Sequence, residues 1–173
     1  MPWYDTIFDL IDFRSFSNLW FWIVLAVAWS SASHWVLGVP FDMVSRARRR
    51  GGEAQADLEA MLEINVRRIM YIARGAGVWL IGFASFLLSG LLILGFWYGV
   101  EFAQAVFLLA LPISVIGALS LRQAAQIEAG VNGGQMLCRR LTRHRMMVQG
   151  IGIFSIFVTA LWGMWHNMTA AVL

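Results

Sequence analysis

An all-α integral membrane protein, built as a four-helix bundle, is what this sequence predicts, and three observations lead there. Of its residues 60% are hydrophobic and only 13% charged, whereas soluble domains are about a quarter charged. The apolar residues gather into four runs of about 20, the length that crosses a bilayer as a helix. Every basic residue is an arginine, and the arginines crowd into two of the connectors between those runs. Four spans with their connectors fill the 173 residues, so one membrane domain, 1–173, is expected.

Residues Trp3 to Phe13 place Asp5, Asp9 and Asp12 on one side of a helix, with Trp3, Tyr4, Ile7, Phe8 and Ile11 on the other. That pattern predicts a helix (3–13) lying in the membrane interface, and its acidic face favours the outer side. A cleaved signal peptide is the competing explanation for the apolar run Leu19 to Ala28, because Ser31-Ala32-Ser33 beyond it is a small-x-small sequence. The acidic start and the continuation of apolar residues to Val39 favour a retained span instead.

The first span is expected at 19–39, about 31 Å at 1.5 Å per residue, ended by Pro40. Trp20 and Trp22 mark its outer end and Trp35 its inner end; Ser30, Ser31, Ser33 and His34 form a polar segment. A connector (40–74) comes next. Gly51-Gly52 breaks any continuous helix there, and a second helix is expected from Glu53 to Arg74, acidic at its start and basic at its end as the helix dipole prefers. Glu63 and Arg67 form an i,i+4 pair on it. That helix has the option of running on into the second span.

The second span (76–97) and third (102–121) are separated by so few residues that they must be antiparallel neighbours. Pro112, midway along the third, removes one backbone hydrogen bond and favours a kink. The third helix is expected to continue to Ala129, where Gly130, Asn132, Gly133 and Gly134 stop it. A second connector (122–147) carries a short basic helix, Arg139 to Arg145, into the fourth span (148–168). Connector helices of this kind would form cytoplasmic extensions of the bundle.

The first connector holds seven arginines and the second five, with Arg14 alone elsewhere. Because the antiparallel pair puts both connectors on one side, the positive-inside bias makes that side the cytoplasm and both termini periplasmic. Six of the nine tryptophans, Trp3, Trp20, Trp22, Trp97, Trp162 and Trp165, then fall at the outer boundary. The same bias accounts for the net charge of +3, so no nucleic-acid partner is expected.

Candidate chemistry is sparse. Gly152, Ser155, Thr159 and Gly163 recur at three- and four-residue spacing, a small-residue stripe for helix packing. In the second span Ser85 with Ser89, and Gly95 with Gly99, do the same. Glu101 and Gln104, one turn apart at the outer start of the third span, form a candidate polar site for a cation or polar ligand. His34 is the candidate cofactor-binding residue, by analogy with haem sites in helix bundles, but neither His144 nor His166 matches it in depth. Arg46, Arg48, Arg49, Arg50, Arg139, Arg140, Arg143 and Arg145 are candidates for lipid or partner contact, holding anionic headgroups. Cys138, the one cysteine, excludes an internal disulfide; the adjacent Arg139 and Arg140 could favour its thiolate. Zinc-protease, nucleophile-elbow and phosphate-loop signatures are missing, so no catalytic residue or metal site is assigned and an enzyme is not expected.

Four longer strings, RSFSNLWFW (Arg14 to Trp22), SHWVLGVPFDMV (Ser33 to Val44), GVEFAQAVFLLALP (Gly99 to Pro112) and FVTALWGMW (Phe157 to Trp165), resemble a family of small alphaproteobacterial membrane proteins labelled as a component of the Suf iron–sulfur assembly complex. The resemblance implies a bacterial inner-membrane location and, given one cysteine, at most a docking role in assembly. The expectation is therefore a non-enzymatic inner-membrane accessory or assembly subunit without a cofactor, binding anionic lipids and a larger membrane complex or its own copies. Two alternatives stay open: a haem- or other cofactor-binding membrane redox protein using His34, and a small oligomeric transporter or channel around Glu101 and Gln104.

Overall fold

The computed structural model describes residues 15–17, 19–130 and 133–170; the expected interfacial helix at 3–13 lies outside them. After a 3-10 turn (Ser15–Ser17) come α1 (Leu19–His34), the short strands β1 (Trp35–Val36) and β2 (Val39–Pro40), and α2 (Phe41–Arg50). The chain continues with α3 (Gly52–Leu92), a π-helical turn (Ile93–Trp97), α4 (Glu101–Glu128) and α5 (Gln135–Ala170). The fold is all-α, and three helices, α3 with its π turn, α4 and α5, are long and apolar enough to cross a membrane.

The first expected span is corrected. Its helix stops at His34, short of Val39; its 16 residues cover about 24 Å, less than the ~30 Å hydrocarbon core. Leu37 and Gly38, with φ of 52° and 76°, make a tight turn of the kind that joins paired strands, and Trp35 pairs with Pro40 and Val36 with Val39. Burial favours the turn over a longer helix, because Val36, Leu37 and Val39 all enter a core with Val44, Leu58, Leu62 and Leu141. Asn65 holds the turn from α3, its Nδ2 donating to Gly38 O at 3.2 Å.

Gly51 (φ 61°) separates α2 from α3, as the sequence expects. From Gly52 the helix then runs through Arg74 and Gly75 without interruption for 41 residues, about 60 Å. The connector helix and the second span are thus one rod. Likewise the basic segment Arg139 to Arg145 is no separate helix but the start of α5. Gly99 (φ 73°) turns the chain between α3 and α4.

Two cores result. At the end where the arginines gather, the strands, α2, the first half of α3, the end of α4 and the start of α5 enclose the first. Nearer the α3–α4 turn, Phe16, Phe21, Leu25, Trp29 and Ala105 form the second, packed by Leu108, Leu109, Ile116, Ile151 and Trp162. Helices α1, α4 and α5 therefore share a core while the most apolar part of α3, none of it buried, stands at the rim.

Candidate functional site

Glu101 opens α4, where a carboxylate is favoured by the free N–H groups and the dipole of the helix. Here it acts on other elements. One oxygen accepts the backbone N–H of Phe16 at 2.6 Å, and the other lies 3.2 Å from His166 Nε2 on α5. The carboxylate is only 11% exposed. Phe16 is held a second time, through its carbonyl, which accepts Trp22 Nε1–H at 3.1 Å. Its ring lies 5.5 Å from Phe21 and against Gly163, where an added Cβ would meet it at 3.2 Å.

Gln104, one turn on, is buried and uses both ends of its amide. Its Nε2 donates to Gly95 O at 2.8 Å, and its Oε1 accepts Trp162 Nε1–H at 3.0 Å. The Gly95 carbonyl is available because it lies in the last turn of the helix, where carbonyls lack an intrahelical donor; Val100 N–H goes to Leu94 O at 3.1 Å instead. A Cβ at Gly95 would sit 2.9 Å from Gln104 N, so only glycine lets α3 approach this closely. Together Glu101 and Gln104 clasp the 3-10 turn, α3, α4 and α5. Their hydrogen-bonding groups point at the protein itself.

The small-residue stripe is also spent inside the chain. Gly152 faces Trp29, with Cε3 2.8 Å from a notional Cβ, and Thr159 is fully buried. Ser155 has a specific task. Pro112 has no N–H to give the carbonyl four residues before it, Leu108 O, and the Ser155 hydroxyl donates to that oxygen from α5 at 3.5 Å. By contrast Ser85 and Ser89 of α3 are exposed.

These arginines divide into three groups. Arg46, Arg67 and Arg74 pair with Asp42, Glu63 and Glu128 at 3.5, 2.6 and 2.6 Å. Arg145 turns inward: its Nε donates to Ser33 O at 3.1 Å, satisfying a carbonyl at the end of α1, while its guanidinium lies 3.8 Å over the Phe41 ring. Arg48, Arg49, Arg50, Arg139 and Arg143 are exposed and Arg140 half-buried, none in an ion pair with a described residue.

Cys138 does not take up the thiolate option that its neighbouring arginines offered. It is fully buried on α5, and burial, reinforced by the nearby Glu59 carboxylate, pushes its thiol pKa up despite Arg48. Thiolate chemistry is thereby disfavoured. Glu59 itself accepts Gly134 N–H at 2.6 Å and Gln55 Nε2–H at 2.8 Å, and these bonds hold its pKa below the ordinary value. The three histidines stay apart. His34 is exposed beside Trp35, ring centroids 5.8 Å apart; His144 is buried with Nε2 3.2 Å from Ser120 Oγ; His166 serves Glu101. Among the described residues no group of three or more His, Cys, Asp or Glu is placed to hold a metal ion.

No family model, curated protein or solved structure matches this chain. Function must be argued from the arrangement itself. The residues that spacing along the sequence did not disclose are partners across helices: His166 for Glu101, Trp162 for Gln104, Ser120 for His144 and Glu59 for the Gly134 turn. Depth offered a signal for the first two, since all four side chains belong to the ends of spans at one boundary; rotation about the helix axes offered none.

Proposed function

We propose that this chain is a non-enzymatic accessory or assembly subunit of a bacterial inner-membrane complex, inserted as a four-helix bundle in which the short α1 crosses a locally thinned bilayer, with its arginine end in the cytoplasm and both termini periplasmic. One observation carries the accessory role: the polar groups at the α3–α4 turn close on each other, whereas the apolar half of α3 is carried at the rim of the fold with an open face. Gly75, Gly77, Gly82 and Gly90 along it have space where a side chain would stand, so a neighbouring helix could approach closely. A transporter built on Glu101 and Gln104 would need those groups available to its cargo, and they are committed. A haem between helices would need facing histidines at one depth. If the iron–sulfur assembly resemblance holds, the role in it is docking, because the lone thiol is buried.

The test is site-specific photo-crosslinking in native membranes from Phe83 and Phe86 on α3 and, separately, from Arg139. A subunit should give one recurrent protein adduct from the α3 positions; lipid adducts alone at both would end the proposal. Orientation is read with single cysteines in a Cys138→Ala background, since the native thiol is shielded. Tyr98→Cys should react with an impermeant maleimide in intact spheroplasts and Arg49→Cys only in inverted vesicles.

A further inference from the structure

A groove of about 370 Å³ opens between the arginine-end halves of α4 and α5, lined by Leu119, Arg122, Gln123 and Gln126 on one side and Arg140, Arg143 and Met147 on the other. It has no acidic wall. Arg122, Arg140 and Arg143 form no ion pair with a described residue, unlike Arg46, Arg67 and Arg74, so three guanidiniums converge on a site that supplies no counter-charge. The lining residues are in helical register: Leu119, Arg122 and Gln126 share one stripe of α4, and Arg140, Arg143 and Met147 one stripe of α5.

Both stripes continue deeper. One turn beyond Leu119 and Met147 stand Val115 and Ile151, which begin a second, almost wholly apolar groove of about 240 Å³ along the same helix pair. Leu111, Pro112, Phe154 and Val158 line it further on. From Arg122 to Leu111 is about 16 Å along the axis, close to half of the ~30 Å hydrocarbon core. A basic polar head site followed along the same helix pair by an apolar trough, the two together about one leaflet long, has the chemistry of a single ligand class.

We propose that this seam binds an anionic glycerophospholipid from the leaflet at the arginine end, its phosphate held by Arg122, Arg140 and Arg143 and an acyl chain lying between Val115 and Ile151. Guanidinium forks match phosphate oxygens in pairs, Gln123 and Gln126 can bond the headgroup's remaining polar atoms, and the trough supplies what a soluble phosphate could not use. The inference rests on the membrane insertion proposed above and is independent of the accessory role.

The experiment is native mass spectrometry of the full chain released from neutral detergent, titrated with phosphatidylglycerol, with phosphatidylcholine and with inorganic phosphate. Phosphatidylglycerol should be retained at least tenfold more tightly than either comparator. Removing all three groove arginines (R122Q, R140Q, R143Q) should weaken retention by about fivefold per guanidinium lost, the size of one arginine–anionic-lipid contact. R48Q/R49Q/R50Q removes equal charge outside the groove and should leave retention within twofold. Should the triple variant not fold, R143Q alone, at an exposed position, should still cost about fivefold. Equal losses from the two triple variants, no loss with R143Q, or inorganic phosphate held as tightly as the lipid would each overturn the proposal. A protein extracted from membranes by carbonate would instead remove the insertion on which it rests.

Discussion

Replacing Glu101 distinguishes a clasp from a transport site. In Glu101→Ala the Phe16 N–H, in a residue only 2% exposed, loses its acceptor, and an unpaired buried donor costs about 1–3 kcal/mol. Loss of the His166 contact adds at most about 1 kcal/mol, since His166 is 30% exposed. The sum is about 1–4 kcal/mol. Glu101→Gln keeps a carbonyl oxygen for Phe16 and gives up only the charge, so its cost should stay within about 1 kcal/mol. Reversible unfolding in a mild detergent should rank wild type above Gln above Ala. Ion flux in proteoliposomes should be the same for wild type and Gln. An Ala variant as stable as wild type, or a Gln variant that is stable but altered in flux, refutes the clasp.

Further expectations concern the packing and the arginine end. Gly95→Ala should destabilise by about 1–3 kcal/mol, because its Cβ would lie 2.9 Å from Gln104 N, while Gly90→Ala, facing open space, should be neutral or slightly stabilising; both are read by the same unfolding assay. Ser155→Ala should cost about 0.5 kcal/mol, its hydrogen bond being long, and less in a Pro112→Ala background, where the restored N–H serves Leu108 O; a double-mutant cycle without coupling would contradict this. Glu59 has a depressed pKa, so its contribution is present above the ordinary Glu value of 4.5 and is lost as pH falls below it toward the folded-state pKa; Glu59→Gln should flatten that part of the stability profile. Cys138 should react slowly with a permeant maleimide at neutral pH and at the rate of a free thiol once the chain is unfolded.

Much of the architecture was legible along the chain, for reasons that differ by element. Apolar length and the short turn at Gly99 announced α3 and α4, and glycine pairs announced the breaks at Gly51 and after Glu128, because these depend on local chemistry alone. The end of α1 was not legible. Hydropathy counts Val36, Leu37 and Val39 as further membrane residues, but their apolar surface is satisfied by a core of α2, α3 and α5 that assembles only in three dimensions. The site divides in the same way. Spacing singled out Glu101 and Gln104, yet it could not say that the first would meet His166 or the second Trp162, since helix rotation is set by packing. Arg145 illustrates the converse: counted with the basic rim, it is drawn inward by an orphan carbonyl at Ser33 and the Phe41 ring.

The unbroken course of α3 has a mechanical meaning. Between the break at Gly51 and the π turn at Ile93 no glycine or proline interrupts the hydrogen-bonded ladder, so the helix is one continuous rod about 60 Å long. If its apolar half tilts by about 5° to match a thinner bilayer, the far end swings by about 5 Å. Leu58, Leu62 and Val66, which build the arginine-end core, ride on that arm. In a chain inserted as proposed above, bilayer thickness and the shape of the arginine end would then be coupled through one piece of secondary structure.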